Sequence, residues 1–391
     1  MINFEGNNKI KVKQEYFGIG SLKELEHILK KEEPQKIFLV TGKNSYKFSG
    51  AKNKLELLLT NYFYIQFSDF SVNPKIEDIK KGIELYQKEK CDLVIAIGGG
   101  SVIDTAKAIN LLSSQKKTLL EKQITGEEKI NNKGKTLIAI PTTSGTGSEA
   151  TSFAVVYINK TKYSLAHKDF MLPDYIILDP SLTFTLPKYI TAGTGMDALC
   201  QAIEAYWSVN STEESKTYSK EAIFLAVNNI ENSVNNPTEE NRIAMMKASN
   251  LAGKAINIAK TTACHAISYP ITSYFNVPHG HAVALTLGEM VVYNSMISSN
   301  DCLDQKGTEY VKEIITNLNE IFGVNSPQEL NVKFNELMES IGLNTKLSEL
   351  GITSEYDINV IVKNGFNPKR VKNNPRKLTE IDLRKILERI M

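Results

Sequence analysis

Strands and helices alternate through the first half of this 391-residue chain, and this order constrains its fold more than any other feature. Short apolar runs that end in glycine or proline predict buried strands within residues 36–42, 91–100, 136–141 and 175–180. An amphipathic stretch from Ile76 predicts one of the connecting helices. Because parallel strands need crossover connections, the pattern indicates a parallel sheet flanked by helices.

The chain changes character after about Pro187, where helical spacing replaces the strand pattern. The predicted helices include GMDALCQAIEAYWS, SKTYSKEAIFLAVNNI, NRIAMMKASNLAGKAINIA and HAVALTLGEMVVYN. We therefore expect an N-terminal α/β domain, residues 1–185, and an all-helical C-terminal domain, residues 186–391. No low-complexity linker separates them in the sequence, so a ligand cleft between two packed domains is the default expectation.

Composition narrows the class of protein. Lysine and arginine number 46 against 44 acidic residues, a net charge of +2, which argues against nucleic acid or a membrane surface as partner. The apolar runs are too short to span a bilayer, and the first residues lack the apolar core of a signal peptide. Four widely spaced cysteines favour reduced thiols. We expect a cytoplasmic globular protein with a small-molecule partner.

A glycine-rich turn, Gly98 to Ser101, follows one predicted strand and opens the next helix. Glycines let a backbone approach a pyrophosphate, whose charge is met by the free N–H groups of a helix start. The turn is not GxGxxG, and a tight strand-to-helix connection explains it equally well. Asp104, one turn later, either binds a ligand or balances the helix dipole.

A second loop, PTTSGTGSEAT at 141–151, is unusually rich in hydroxyl groups. Such a loop after a strand is able to satisfy phosphate, ribose and carboxamide groups together; its alternative is a solvated turn. With the glycine-rich turn, it indicates a Rossmann-like dinucleotide-binding domain that lacks the ordinary fingerprint.

Asp197, Gln201, His265 and His279 form a candidate metal site in the helical half. The i, i+4 spacing of the first two puts both side chains on one helix face. A carboxylate and two imidazoles suit a first-row divalent metal, whereas the amide of Gln201 is a weaker ligand than imidazole. Hydrogen-bonded core histidines and a metal-free amide are the alternatives.

Five motifs occur in order: GGGSVIDTAK, PTTSGTGSEAT, Asp179-Pro180, GMDALCQAIEAY and HAISYPITSYFNVPHG. Together they resemble the iron-containing (group III) alcohol dehydrogenase family over nearly the whole chain. The resemblance implies a dehydroquinate synthase-like fold, with a dinucleotide-binding α/β domain and an all-helical metal domain. It also implies an NAD(P)-dependent alcohol dehydrogenase or aldehyde reductase that forms a homodimer or higher homo-oligomer.

The resemblance assigns cofactor and metal residues by motif position. Contacts to the cofactor are implied for Gly98, Gly99, Ser101, Asp104, Thr142, Thr143, Thr146, Thr151, Lys162 and Leu182. Ligation of Fe²⁺ or Zn²⁺ is implied for the side chains of Asp197, His265 and His279, and Gln201 stands where the family carries histidine. Catalysis is expected from His265, His279 and Tyr269; the last replaces another family histidine and either donates a proton or only packs beside Pro270.

The strand end at Gly42 bears on cofactor choice. NAD-preferring members of the family often carry aspartate there, and its carboxylate would repel a 2′-phosphate. Gly42 removes that repulsion, and Lys43 with Ser45 offers a cation and a hydroxyl for the phosphate. The expectation is a preference for NADP(H) over NAD(H).

Local sequence around Val40, Gln201 and Ala202 resembles the phosphonoacetaldehyde reductase (hydroxyethylphosphonate dehydrogenase) branch of the family. That branch reduces phosphonoacetaldehyde to 2-hydroxyethylphosphonate in phosphonate biosynthesis. Donors for the phosphonate are sought among Asn210, Ser211, Thr212, His167 and Lys168. The alternatives are a general short-chain alcohol or diol dehydrogenase, a lyase of the dehydroquinate synthase type, whose first ligand is glutamate, and a non-catalytic nucleotide-binding protein.

Overall fold

The computed structural model describes residues 12–366 and 371–391, so the first residues of the chain, considered above for a signal peptide, lie outside it. The chain divides into two compact units. The first contains the residues up to Thr142 together with Ser148–Thr185. The second contains Thr143–Gly147 and the residues from Leu186 onward.

A parallel sheet forms the centre of the first unit, in the strand order β1-β8-β5-β4-β2-β3. Its strands are β1 (Gln14–Phe17), β2 (Ile37–Thr41), β3 (Tyr64–Phe67), β4 (Leu93–Gly98), β5 (Thr136–Pro141) and β8 (Tyr175–Leu178). Every residue of β2 and β4 is buried, as expected for strands covered on both faces by helices. The predicted parallel sheet is confirmed, and β1 is an edge strand that the sequence did not indicate.

Helices and one hairpin surround this sheet. The helices are α1 (Glu24–Glu32), α2 (Ser45–Phe48), α3 (Ala51–Leu58), α4 (Ile76–Lys88), α5 (Gly100–Ser113) and α6 (Leu120–Thr125). The hairpin, absent from the sequence-based expectation, pairs β6 (Phe153–Ile158) with β7 (Thr161–Ala166) in antiparallel register. In the sheet, β3 and β4 lie on opposite sides of β2, so the order of the strands reverses direction at β2. The carboxyl ends of β2 and β4 therefore flank a topological switch point, where α/β sheets bind ligands.

The second unit is helical throughout its regular described structure, which confirms the predicted helical half. Its helices are α7 (Lys188–Trp207), α8 (Glu213–Asn235), α9 (Glu239–Ala259), α10 (Ala263–Phe275), α11 (His279–Ala284), α12 (Leu287–Ser295), α13 (Thr308–Phe322), α14 (Pro327–Ser340), α15 (Glu355–Gly365) and α16 (Glu380–Arg389). The stretch expected as one helix near residues 281–294 is divided into α11 and α12. None of the described helices is both long and apolar enough to cross a membrane.

A buried lysine fastens α5 to the segment that leads into β6. Lys107 is 1% exposed, and its ammonium donates to the carbonyl oxygens of Ser148 (2.5 Å), Thr151 (2.6 Å) and Phe153 (3.1 Å). Burial lowers the pKa of Lys107 to about 8, although the carboxylates of Asp104 and Glu149 oppose this shift. Few other donors are able to reach three buried carbonyls at once, so Lys107 fixes the end of the hydroxyl-rich loop.

Lys107→Met should lower the free energy of unfolding by about 3 kcal/mol at pH 7, because three buried carbonyl oxygens lose their donor. The deficit should widen between pH 8 and pH 10. A lysine with a folded-state pKa of about 8 and a higher unfolded-state pKa makes the wild type more stable as the pH rises through this window, whereas methionine does not titrate. Urea unfolding at several pH values measures both effects. Lys81→Met, at an exposed position of α4, is the control, and a deficit independent of pH would contradict this account.

Candidate metal centre and cofactor loops

Three helices of the second unit bring the predicted metal ligands together. Asp197 lies on α7, His265 on α10, and His279 is the first residue of α11. Ligand atoms of these three side chains all lie within 4.8 Å of one another. Gln201 follows one turn after Asp197, and its amide Nε2 donates to Asp197 Oδ1 at 3.1 Å. The four residues singled out in the sequence therefore form one cluster.

The close approach of α11 to α7 depends on glycine at position 280. A Cβ atom at Gly280 would lie 1.9 Å from the carbonyl oxygen of Gly193 and 2.9 Å from Cβ of Asp197. Any larger residue would push the start of α11 away from α7. His279, which precedes Gly280, owes its place beside Asp197 to this contact.

Two buried polar atoms of the cluster have no hydrogen-bond partner: Gln201 Oε1 and His265 Nε2. His265 Nε2 lies 3.4 Å from Asp197 Oδ1. Buried polar atoms are nearly always paired in folded proteins, so two unpaired atoms beside a buried carboxylate fit a cation. Carboxylate, amide oxygen and imidazole nitrogen are ligands that Fe²⁺ and Zn²⁺ accept, so the residues present fit such a metal.

The charges around the cluster also favour a cation. Burial lowers the pKa of His265, but the carboxylates of Glu204 and Asp197 raise it, and the net value is about 9. Burial raises the pKa of Asp197, yet His265, His279 and Gln201 together hold it below its ordinary value. The site therefore stabilises an ionised carboxylate and a positive charge next to it.

Glu204 is a site residue that sequence reasoning missed. It is completely buried on α7, and its Oε2 pairs with His265 Nδ1. Its Oε1 accepts from the backbone N–H groups of Thr262 (3.1 Å) and Cys264 (2.9 Å). The available signal was its position seven residues after Asp197, which places both on one face of the helix.

Two residues of α10 contact the second histidine. The ring of Tyr269 stacks on His279 with 6.1 Å between ring centroids. Ser268 Oγ donates to the carbonyl oxygen of His265 at 2.8 Å and lies 3.4 Å from His279 Nδ1. Since the Ser268 proton is already donated, its oxygen is left to accept from His279 Nδ1–H. Tyr269 thus adjoins the cluster, and both roles considered for it are compatible with this position.

The candidate cofactor residues of the first unit gather at the carboxyl ends of β2, β4 and β5. Gly42 follows β2, Gly98 ends β4 and Gly99 follows it, and Thr142 follows β5 and donates its N–H to the Gly98 carbonyl at 3.0 Å. Helix α5 begins at Gly100 without a side-chain cap and without an acidic residue in its first turn. An uncapped helix start at a switch point is a suitable site for a pyrophosphate, so these residues fit a dinucleotide.

Several other cofactor candidates are engaged within the protein. Both oxygens of Asp104 are occupied, one by Ser148 Oγ (2.5 Å) and one by the N–H of Val155 (2.9 Å). The Thr151 hydroxyl receives a hydrogen bond from Lys107 at 3.1 Å. Leu182 is fully buried. The remaining candidates are Ser101, which accepts from the Asn73 N–H, Lys162 on β7, and Thr143 and Thr146 in the loop assigned to the second unit.

The Gly42 region has little room for a side chain. A Cβ atom there would lie 2.1 Å from Ser45 Oγ, so an aspartate at this position requires Ser45 to turn away. Lys43 is exposed, and its ammonium pairs with the exposed carboxylate of Asp69 at 2.9 Å. Exposed ion pairs are weak, so a phosphate is able to compete for Lys43.

Three of the five residues considered as phosphonate donors, Asn210, Thr212 and His167, have structural partners. The Thr212 hydroxyl caps α8 in a capping box with Ser215. The Asn210 amide donates to Asn373 at 3.1 Å, and the ring of His167 stacks on Phe170. Ser211 Oγ, in contrast, is buried and has no partner. Thr212 in particular serves the helix start.

Comparison with known proteins places this architecture in a family. Residues 13–180 match the iron-containing alcohol dehydrogenase model, and residues 191–391 match the C-terminal model of the Fe-containing alcohol dehydrogenase family. Long-chain-alcohol dehydrogenase 1 of Geobacillus thermodenitrificans is 33% identical over 329 residues, 82% of this chain and 80% of that protein. Phosphonoacetaldehyde reductase of Streptomyces viridochromogenes is 32% identical over 305 residues, 76% of each chain.

A solved structure extends the similarity to the whole chain. Sulfoacetaldehyde reductase from Bifidobacterium kashiwanohense, determined in complex with NAD⁺, superposes with a TM-score of 0.85 at 30% identity over 98% of both chains. The chain therefore belongs to the iron-containing alcohol dehydrogenase family, and it is an NAD(P)-dependent oxidoreductase of the alcohol dehydrogenase and aldehyde reductase type.

Proposed function

We propose that this enzyme reduces short aldehydes that carry an anionic group, and that phosphonoacetaldehyde, reduced to 2-hydroxyethylphosphonate, is its substrate. The observation that carries the metal-assisted reduction is the buried cluster of Asp197, His265 and His279 with its unpaired Nε2 atom. Two relatives support the substrate class, since their names specify acetaldehydes with a phosphonate or a sulfonate group. The reaction consumes one NADPH and one proton for each aldehyde converted to an alcohol.

A second candidate is the oxidation or reduction of uncharged alcohols and aldehydes. The similarity to a long-chain-alcohol dehydrogenase, at 33% identity, favours it as much as the other relatives favour an anionic substrate. The use of Thr212 as a helix cap also removes one of the donors expected for a phosphonate. The two candidates share the metal cluster and differ only in the substrate.

We assign metal binding to Asp197, Gln201, His265 and His279. When bound, a divalent metal would polarise the substrate carbonyl oxygen, and a bound nicotinamide would provide the hydride. Asp197 contributes the negative charge that offsets the metal, and the two imidazoles hold their Nδ1 protons toward Glu204 and Ser268. Tyr269 adjoins His279, and we propose that its phenol donates the proton to the alkoxide oxygen.

The preference for NADP(H) belongs to the same proposal. Gly42 leaves the end of β2 without a carboxylate, and Lys43 with Ser45 supplies a cation and a hydroxyl. One relative was determined in complex with NAD⁺, so the preference is a separate point to test. Assembly into a homodimer or larger homo-oligomer and a cytoplasmic location stay predictions.

The substrate is tested by following NADPH absorbance with a panel of aldehydes at fixed metal loading. We expect kcat/KM for phosphonoacetaldehyde to exceed that for propanal and octanal by at least about tenfold, because a hydrogen bond to a charged group contributes roughly 1.5–3 kcal/mol. Equal values across the panel would favour the second candidate. His265→Ala should abolish turnover of every aldehyde, whereas His27→Ala, at an exposed position of α1, should leave it unchanged.

Cofactor preference is tested by replacing Lys43. Lys43→Gln should raise the KM for NADPH by about tenfold and leave that for NADH nearly unchanged, because only the 2′-phosphate uses the lysine charge. Lys47→Gln, at an exposed position of the adjoining helix α2, is the matched control. Steady-state kinetics with both cofactors give the result, and an equal loss for NADPH and NADH would contradict a phosphate contact.

A further inference from the structure

The start of α10 is capped by a side chain from another helix. Thr262 occupies the N-cap position, but its hydroxyl makes no capping bond within its own helix. It donates instead to Glu204 Oε1 (2.7 Å) and accepts from Trp207 Nε1 (2.9 Å). The N–H groups of Thr262 and Cys264 are satisfied by the same Glu204 oxygen. The carboxylate on α7 therefore replaces the usual local cap.

This arrangement carries an energetic cost that a simple cap would avoid. Glu204 is 0% exposed, and His265 is its only ion-pair partner within residues 12–366 and 371–391. A buried carboxylate is stable only when its hydrogen bonds are complete. A serine or threonine side chain would cap α10 without burying a charge, so capping alone does not account for Glu204.

The contact of the second carboxylate oxygen of Glu204 explains why a charged residue occupies this position. Oε2 contacts His265 Nδ1, and an ionised carboxylate only accepts hydrogen bonds. The neutral imidazole must then keep its proton on Nδ1, which leaves Nε2 as a bare lone pair. Nε2 is the atom that lies 3.4 Å from Asp197 Oδ1 and has no hydrogen-bond partner. Carboxylates commonly fix metal-binding histidines in this way.

We propose that Glu204 is a positioning residue with two linked tasks: it anchors the start of α10, and it fixes the His265 proton on Nδ1 so that Nε2 is presented to the metal. The proposal rests on the metal site of the proposed function, since His265 is one of its ligands. It predicts that the charge of Glu204 matters for metal binding even where the shape of the side chain is retained.

Glu204→Gln separates the two tasks. The glutamine carbonyl is able to keep the bonds to the α10 N–H groups, while its NH₂ group donates to Nδ1 and moves the imidazole proton to Nε2. We expect Zn²⁺ affinity, measured by competition with a chromophoric chelator, to fall about 10–100-fold with the fold retained. Glu289→Gln, the same replacement on α12, is the control and should bind Zn²⁺ like the wild type. Wild-type affinity in Glu204→Gln would overturn the proposal.

The tautomer itself is read from the ¹⁵N NMR signals of the His265 imidazole in metal-free protein at alkaline pH, where the ring is neutral. The proton should reside on Nδ1 in the wild type and on Nε2 in Glu204→Gln; a merely structural glutamate would leave it unmoved. If Glu204→Gln fails to fold, the wild-type spectrum still decides, because a proton on Nε2 contradicts the proposal. A wild type that shows the Nδ1 proton but binds no Zn²⁺ would instead sink the metal-assisted function.

Discussion

The hydrogen bonds of one buried carboxylate connect the architecture of the helical unit to its candidate metal centre. Glu204 joins α7 to the first turn of α10, and α7 itself presents Gln201 one turn earlier and Asp197 two turns earlier on the same face. The position of His265 therefore depends on the same contact that holds the start of its helix. A displacement of α10 would move a metal ligand and expose a buried charge together, so packing and chemistry are coupled at this point.

The position of His279, another candidate ligand, depends on steric fit rather than on charge. Gly280 lets the first turn of α11 touch the α7 backbone at Gly193, and His279 is thereby placed next to Asp197. Both contacts converge on α7, which contributes two of the candidate ligands directly and positions the other two. In the first unit, Lys107 plays a comparable part for the hydroxyl-rich loop, because it ties the loop carbonyls to α5.

The sequence predicted those features that depend on local patterns. Buried strands such as β2 and β4, the helical half, the loops that follow the strands and the cluster around Asp197 all appear as short motifs with known spacing. The spacing of Glu204 from Asp197 was visible in the sequence, but its bond to His265 was not predictable, since His265 lies 61 residues away and only the packing of two helices joins them. The internal bonds of Asp104 and the β6–β7 hairpin depend on long-range contacts in the same way, whereas α13 carries a helical pattern that the prediction overlooked.

Gln201 stands where the family resemblance implies a histidine ligand. Its Nε2 donates to Asp197, and this orientation leaves Oε1 buried and unpaired, so we propose that the amide offers its oxygen to a metal. A neutral oxygen in place of imidazole weakens the ligand set for a transition metal without removing it. Because Asp197, His265 and His279 lie close enough together to hold a metal ion, we propose that the site is altered in strength and not lost.

Anomalous X-ray diffraction at the iron and zinc absorption edges, on crystals of metal-loaded enzyme, shows whether this cluster binds a metal. We predict one metal ion about 2.0–2.2 Å from Asp197, His265 Nε2 and His279, with Gln201 Oε1 as a further ligand and Glu204 still bonded to His265 Nδ1. An anomalous peak elsewhere, or none at this cluster in active enzyme, would contradict it.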